Sequence, residues 1–305
     1  MFRKIDKFSE QWFLKEAIKN VKQLKKDVWD FSSSAMIYNP GGAEIYAELG
    51  RTAYSKTIHD EEFLLIKSIA SQIIKGLPDS FSYIDLGPGS GEKSVLLLEA
   101  CKYECKRIDY IPVDVSKFLP DKAVKTVRKA GFISKPKLAT FEELPNDKEF
   151  LNSLRPERFV SFGLTYINYE PSEIHKLLKK LMGPRGQSFI TVQLGDRIDL
   201  EKTKKLYRIP ANEKIFLAKL KLLDINKTDI KNFEITNEIK VFVILKKVPN
   251  ILGIKGIKKG DKILVWKTFR PTLENFVSII SRDFRYVLYD KGLEFVTAVL
   301  KQKNT

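Results

Sequence analysis

The chain has 305 residues, enough for one large domain or two with an ample core. Its hydrophobic share of 43% and charged share of 30% are those of an ordinary globular protein, and no apolar run reaches the roughly 18 residues of a membrane span. The 54 basic and 38 acidic residues give +16, a balance that raises the question of nucleic acid. The lysines are spread, however: Lys19 to Lys26, Lys122 to Lys129, Lys176 to Lys180, Lys202 to Lys205 and Lys246 to Lys262. They fall on polar helix faces and turns without interleaved stacking aromatics, so a solvated lysine-rich surface is favoured over a nucleic-acid surface.

Cys101 and Cys105 are the only cysteines, four apart on or near one helix. That argues against a secreted disulfide scaffold, and two thiols without nearby histidines make a poor zinc site, so no metal is expected. The start, Met1-Phe2-Arg3-Lys4, has no apolar signal core, and a reducing cytoplasm is the expected compartment. His59 and His175, the only histidines, are paired with neither a nucleophile nor a metal motif.

Taken in order, residues 8–30 carry a helical period: Phe8, Trp12, Phe13, Ala17, Val21, Leu24 and Val28. Residues 31–60 read as irregular, and a helix is expected from Asp60 to Lys75. The run Tyr83-Ile84-Asp85-Leu86-Gly87-Pro88-Gly89-Ser90-Gly91 then reads as a buried strand breaking into a glycine-rich turn before a helix, Glu92 to Cys101. Three glycines in five positions let the backbone approach a ligand, and the helix N-terminus behind them offers free N–H groups to a carboxylate or phosphate. The turn lacks the Gly-Lys-Ser/Thr of a phosphate-binding loop and the full Gly-x-Gly-x-x-Gly of dinucleotide enzymes. A second strand, Ile108 to Val115, places Asp114 at its carboxyl end, where an acid can accept from ribose hydroxyls.

The middle of the chain continues to alternate, with expected elements at 117–130, 137–140, 146–154, 158–163, 171–182 and 187–194. Such alternation argues a parallel sheet with right-handed crossovers. Residues 197–208 look helical, and 214–269 holds β-rich runs such as Glu238 to Val248 and Lys262 to Phe269. A helix at Thr272 to Ser281 and strands at Arg285 to Tyr289 and Leu293 to Lys301 could complete the sheet as an antiparallel edge pair. The expected organisation is therefore α/β: a discontinuous Rossmann-like core, 61–196 plus 270–305, and an α+β second domain, 1–60 plus 197–269.

The form Asp-x-Gly-x-Gly-x-Gly at Asp85 to Gly91 resembles the first motif of class I S-adenosylmethionine (SAM) methyltransferases. The fourth core strand ends in Phe162-Gly163-Leu164-Thr165-Tyr166-Ile167-Asn168-Tyr169-Glu170-Pro171, beyond which ligands of open α/β sheets bind. Amino-methyltransferases of DNA and RNA usually carry Asn/Asp-Pro-Pro-aromatic there, and this chain does not. A more specific resemblance is to the histidine-specific SAM methyltransferases. It rests on Tyr38-Asn39 with Gly42-Ala43-Glu44-Ile45-Tyr46, on Tyr54-Ser55-Lys56-Thr57 before Glu61 and Glu62, and on Asp85 to Lys93. It continues through Tyr110-Ile111-Pro112-Val113-Asp114-Val115-Ser116, Phe141-Glu142-Glu143 and Gly163 to Pro171.

That resemblance implies SAM as cofactor and N-methylation of an amino acid or related small amine. It implies SAM contacts from Tyr38, Asp85, Gly87, Gly89, Gly91, Lys93, Asp114, Thr140 and Phe141. Tyr54 and Asn168 fall where the family holds the substrate amine and carboxylate, with Tyr166, Tyr207 and Trp266 as further substrate positions. Two departures stand out. Thr140 replaces an aspartate usual before the phenylalanine. Aligned on Phe269, Leu264 and Trp266 replace the glutamate and serine that grip an imidazole, and no acidic residue lies between Lys262 and Arg270. Losing polar partners loses discrimination for a polar group, so a larger or more apolar amine than histidine is expected. Two other readings stay open: a methyltransferase of RNA, DNA or protein using the basic surface, and a catalytically silent SAM-binding relative.

Overall fold

A computed structural model describes residues 6–253 and 255–303, without the side chains of residues 51 and 53–56. The first elements are α1 (Glu10–Asn20), β1 (Lys22–Lys25), β2 (Val28–Asp30), α2 (Gly42–Glu48) and α3 (Ala53–Lys75). Then follow β3 (Ser80–Leu86), α4 (Glu92–Tyr103), β4 (Arg107–Asp114), α5 (Phe118–Lys129), β5 (Lys137–Leu138), α6 (Lys148–Ser153), β6 (Arg158–Gly163), α7 (Pro171–Met182) and β7 (Gln187–Gln193). The chain continues with α8 (Leu200–Tyr207), α9 (Pro210–Leu220), β8 (Ile230–Ile235), β9 (Lys240–Leu245), α10 (Asn250–Gly253), β10 (Lys262–Lys267), α11 (Leu273–Asp283), β11 (Phe284–Asp290) and β12 (Phe295–Gln302).

These elements form two compact units, Met1–Ser55 with Asp199–Thr268 and Lys56–Ile198 with Phe269–Thr305. The sequence-based boundaries fall at 60/61, 196/197 and 269/270; the units divide at 55/56, 198/199 and 268/269.

The unit starting at Lys56 holds a seven-stranded sheet in the order β11-β12-β7-β6-β3-β4-β5. The pairs from β7 through β6, β3 and β4 to β5 are parallel, and β12 runs antiparallel to both β7 and β11. This is an α/β doubly wound arrangement, with the strand order reversing at the β3–β6 switch point. Central strands of such a sheet are covered on both faces. Accordingly β7 is buried throughout, and β3 is buried in all but its first residue. Helices α4 and α5 pack against each other and on β4, while α7 packs on β6 and β7. Pro171 opens α7 at a position that needs no N–H donor, and Gly183, at φ 65°, follows its end.

The other unit contains a five-stranded mixed sheet, β1-β2-β10-β9-β8, with α1, α2, α8 and α9. Its central strand β10 pairs parallel with β2 and antiparallel with β9. Several expectations are corrected here. The helical period over residues 8–30 gives helix only to Asn20, whose side-chain amide donates back to the Glu16 carbonyl at 2.7 Å. Asp27 turns the chain with φ 59°, and Val28–Asp30 pairs with Lys262–Leu264, so tertiary pairing overrides the local period. Residues 210–220, partly inside the stretch read as β-rich, form α9, opened by Pro210 in its first turn. Within 31–60, read as irregular, lie a 3₁₀ helix at Ser34–Tyr38 and α2, and α3 begins at Ala53 rather than Asp60. Among the described residues no helix is long and apolar enough to cross a membrane, and no group of metal-ligating side chains is assembled.

Candidate active site

The carboxyl ends of β3 and β6 open onto a cavity within the unit starting at Lys56, lined by Glu62, Asp85, Gly87, Lys93, Gly163 and Thr165 among others. Its floor is set by the glycine turn. Gly87 donates its N–H to the Val113 carbonyl at 2.9 Å, which draws the turn toward the end of β4. Its φ is 72°, and a Cβ there would lie 3.0 Å from Thr165 Oγ1 and 3.6 Å from Phe141 Cζ. The missing side chain is thus what keeps this corner open. Gly91 serves a different purpose. Its Cβ would lie 2.9 Å from Ala123 Cα and 3.0 Å from the Ala123 carbonyl oxygen, so it seats the start of α4 against α5. Gly89 has φ 57° and open space around its Cβ direction.

The acidic residues divide by partner. Asp85 is buried; its Oδ2 accepts from Ser94 Oγ at 2.5 Å and Tyr110 OH at 2.9 Å. Burial raises its pKa against those two bonds. Asp114 ends β4 and is also buried, with Oδ1 accepting the Ser116 N–H at 2.8 Å. Burial pushes its carboxyl up to about 7, opposed by the N–H groups of Ser116 and Val115. Phe141 is buried against Phe162, with ring centroids 5.4 Å apart in an edge-to-face pair. Thr140 beside it is half-buried, and its N–H donates to Glu143 Oε2 at 3.4 Å. A flat apolar ring at the Gly87 corner and a buried carboxylate at the end of the adjacent strand fit an adenosine moiety.

Lys93, in the first turn of α4, reaches Glu62 Oε2 at 2.5 Å. Glu62 is fully buried on α3, and its Oε1 accepts the Leu164 N–H at 3.1 Å. In the sequence motif it stands beside Glu61 without a role; its place on the cavity comes from the fold. His59, one turn earlier on α3, is held down at about 3 by burial and by the Lys93 ammonium. It is neutral across the physiological range.

Beyond Gly163 (φ 42°) the chain forms a 3₁₀ helix, Leu164–Asn168. Thr165 lines the cavity from it. Asn168 is half-buried, and its Oδ1 is a buried acceptor with no hydrogen-bond partner among the described residues. It does not cap α7, whose N-cap is Glu170. Tyr166 requires a correction. Expected at the substrate, its ring is fully buried, and its hydroxyl lies 2.9 Å from His175 Nε2. His175 Nδ1 lies 2.8 Å from Asp283, which accepts from Lys179 at 2.6 Å. The hydroxyl is taken up inside the core, so Tyr166 anchors the 3₁₀ helix instead of facing a ligand.

Tyr38, Tyr207 and Trp266 belong to the other unit. Tyr38 is half-buried and edge-to-face with Tyr46 at 5.1 Å. Tyr207 is buried at the end of α8. Trp266 follows a bulge in β10 and is buried, with its indole N–H unpartnered among the described residues. Asp261, the acid nearest in sequence before β10, accepts from Trp29 Nε1 at 2.8 Å and the Lys258 N–H at 3.0 Å. The Tyr54 side chain lies outside the described residues.

The sequence profile of the family described as histidine-specific methyltransferase, SAM-dependent, matches residues 16–205. No curated protein matches the chain. Solved structures similar to it include a Pyrococcus horikoshii OT3 protein (14% identity, 84% of this chain and 96% of that one, TM-score 0.46). A SAM-dependent methyltransferase from Anabaena variabilis is 12% identical over 86% of this chain and 95% of that one, with TM-score 0.47. The DhpI–SAH complex is 10% identical over 90% of this chain and all of that one, also with TM-score 0.47. With 190 of its 305 residues under the family profile, the chain belongs to the histidine-specific, SAM-dependent methyltransferase family.

Proposed function

We propose that the enzyme N-methylates the amino group of an amino acid or related small amine that is larger or more apolar than histidine. The observation that carries this reading is the buried, unpartnered Oδ1 of Asn168 on the same 3₁₀ helix as the cavity residue Thr165. A buried acceptor without a donor costs about 1–3 kcal/mol, so it persists where a ligand supplies the donor. An amine N–H is such a donor. When bound, SAM supplies a methyl group already activated on a sulfonium. The residues therefore need to orient a neutral amine, desolvate it and hold it in line.

In this reading Asn168 and Tyr54 orient the amine, and Gly87, Asp114, Thr140, Phe141 and Lys93 hold the cofactor. The family resemblance implies Tyr38 as a cofactor contact and Tyr207 and Trp266 as substrate positions. The doubt about histidine comes from β10. Aligned on Phe269, Leu264 and Trp266 replace the glutamate and serine that the resemblance would put against an imidazole, and Asp261 is occupied by Trp29. The unpartnered indole N–H of Trp266 suits an aromatic or acceptor-bearing substrate.

The test is Asn168→Ala. Its kcat/KM for the amine should fall about tenfold or more, the scale of one lost buried hydrogen bond. Its affinity for S-adenosylhomocysteine (SAH) should stay at the wild-type value. Loss of SAH affinity with an unchanged amine KM would assign Asn168 to the cofactor and defeat the reading.

A further inference from the structure

Lys219, near the end of α9, is fully buried in the unit that also holds β10 and the 3₁₀ helix Ser34–Tyr38. Among the described residues it is the one lysine taken wholly out of water, a costly place for an amine. Its Nζ donates to the Ser33 carbonyl at 2.8 Å and to the Val265 carbonyl at 2.9 Å. We propose that Lys219 is a positioning residue for acceptor selection: it grips the backbone one residue before Trp266 and so sets the direction of the indole. The inference rests on the reading that Trp266 meets the acceptor amine, and deepens it by naming what holds the ring.

Three observations carry it. First, Val265 is the extra residue of the β10 bulge. Leu264 faces Phe242 and Trp266 faces Val241, so two steps of β10 oppose one of β9. The register with β2 ends at Leu264, whose carbonyl accepts the Phe31 N–H at 2.9 Å. Val265 is fully buried and lies outside both registers, and Lys219 supplies the donor its carbonyl needs. A bulge re-aims the side chain beside it, so what fixes the bulge fixes Trp266. Second, the indole N–H has no partner of its own among the described residues. The polar grip nearest to the ring along the chain is therefore the one on Val265. Third, the far end of that grip is anchored. The Ser33 carbonyl also accepts the Met36 N–H at 3.3 Å, and the Nζ lies 4.9 Å from the centre of the Phe31 ring. Burial lowers the lysine pKa well below its usual value, against the pull of Asp30. Charged or neutral, the group keeps the two N–H donors that the two carbonyls require. A methionine would be cheaper to bury and would leave both carbonyls without a donor.

The experiment reads the indole directly. The chain has three tryptophans, so labelling with 5-fluorotryptophan gives three fluorine resonances, assigned with Trp12→Phe, Trp29→Phe and Trp266→Phe. Lys219→Met fills the same space and removes both donors. It should displace the Trp266 resonance by more than that of Trp12 on α1, the internal reference. It should also raise the KM for the acceptor about tenfold or more, the scale of a misplaced side chain, and leave SAH affinity within about threefold. SAH release with L-tryptophan, L-phenylalanine and L-histidine supplies the kinetics, the KM being taken on whichever the wild type methylates fastest. A Trp266 resonance that stays in place, with only the melting temperature lowered, would make Lys219 a structural buttress and overturn the proposal. A displaced resonance with an unchanged KM would overturn it as well.

No turnover by the wild type on any of the three amino acids would count against the proposed function and not against Lys219. The resonance then decides alone: its displacement supports the grip on Trp266, and its absence overturns it. Should Lys219→Met fail to fold, Lys219→Gln takes its place, with two N–H donors on a side chain one bond shorter. The shorter reach should still displace the Trp266 resonance, and an unmoved one would again overturn the proposal.

Discussion

Asp114 carries a prediction that follows from where its proton sits. Burial raises its carboxyl to about 7, and ribose hydroxyls donate to the ionised form. Binding therefore favours deprotonation, and below that value it must expel a proton. SAH affinity should fall as pH drops from about 8 to about 6, by up to about tenfold per unit below 7. His59, held at about 3, does not titrate in that window. Asp114→Asn should flatten the profile in calorimetry; an unchanged slope in that variant would remove Asp114 from the ribose. The glycines separate in the same way. Gly91→Ala forces a Cβ to 2.9 Å from the Ala123 backbone and should lower the melting temperature, on a scale of about 1–3 kcal/mol. Gly87→Ala should be seen first in SAH affinity, because its Cβ would enter the corner between Thr165 and Phe141. At this scale the sequence made the turn and Asp114 legible, since glycine spacing and a strand-end acid are local patterns. It did not reveal the burial of Glu62 and its bond to Leu164, or the burial of Tyr166. Those depend on which side chains meet across 102 residues, in Leu164 with Glu62, and across 108, in His175 with Asp283.

The 3₁₀ helix Leu164–Asn168 is the element on which the site turns. It is held from two sides, by Glu62 on the Leu164 N–H and by the Asp283–His175–Tyr166 chain beneath. Tyr166→Phe keeps the ring and leaves His175 Nε2 without its partner. Urea unfolding should show a loss of about 1–3 kcal/mol, with the KM for the amine unchanged. A raised KM with unchanged stability would return Tyr166 to the substrate. Elements with strong punctuation were read accurately: β6 and α7 have the bounds expected, because Pro171 and Gly183 mark the helix chemically. The stretch Lys22–Asp30 carries a helical period in its apolar residues, yet β1 pairs with β2, and β2 with β10 more than 230 residues away. Helix α9 was missed because Ile215, Phe216 and Leu217 read as β-forming, although Pro210 announced a helix start.

At the scale of the whole molecule the chain is two discontinuous units, and the final segment completes the catalytic one. Strand β12 pairs with β7 along its length and carries β11 on its other side. Truncation after Thr268 would bare the edge of β7, a fully buried strand. The truncated protein should lose cooperative unfolding and SAH binding together; retained SAH binding would contradict this view of the sheet. The net charge of +16 enters as an alternative acceptor class. A macromolecular substrate would show methyl incorporation that falls steeply with salt. The central claim, methyl transfer from SAM to a small amine other than histidine, is tested most directly by SAH release across a panel of amino acids and small amines. Turnover is expected on an aromatic or apolar amine, with little on histidine. Efficient turnover on histidine, or SAM binding without release on any amine, would contradict it.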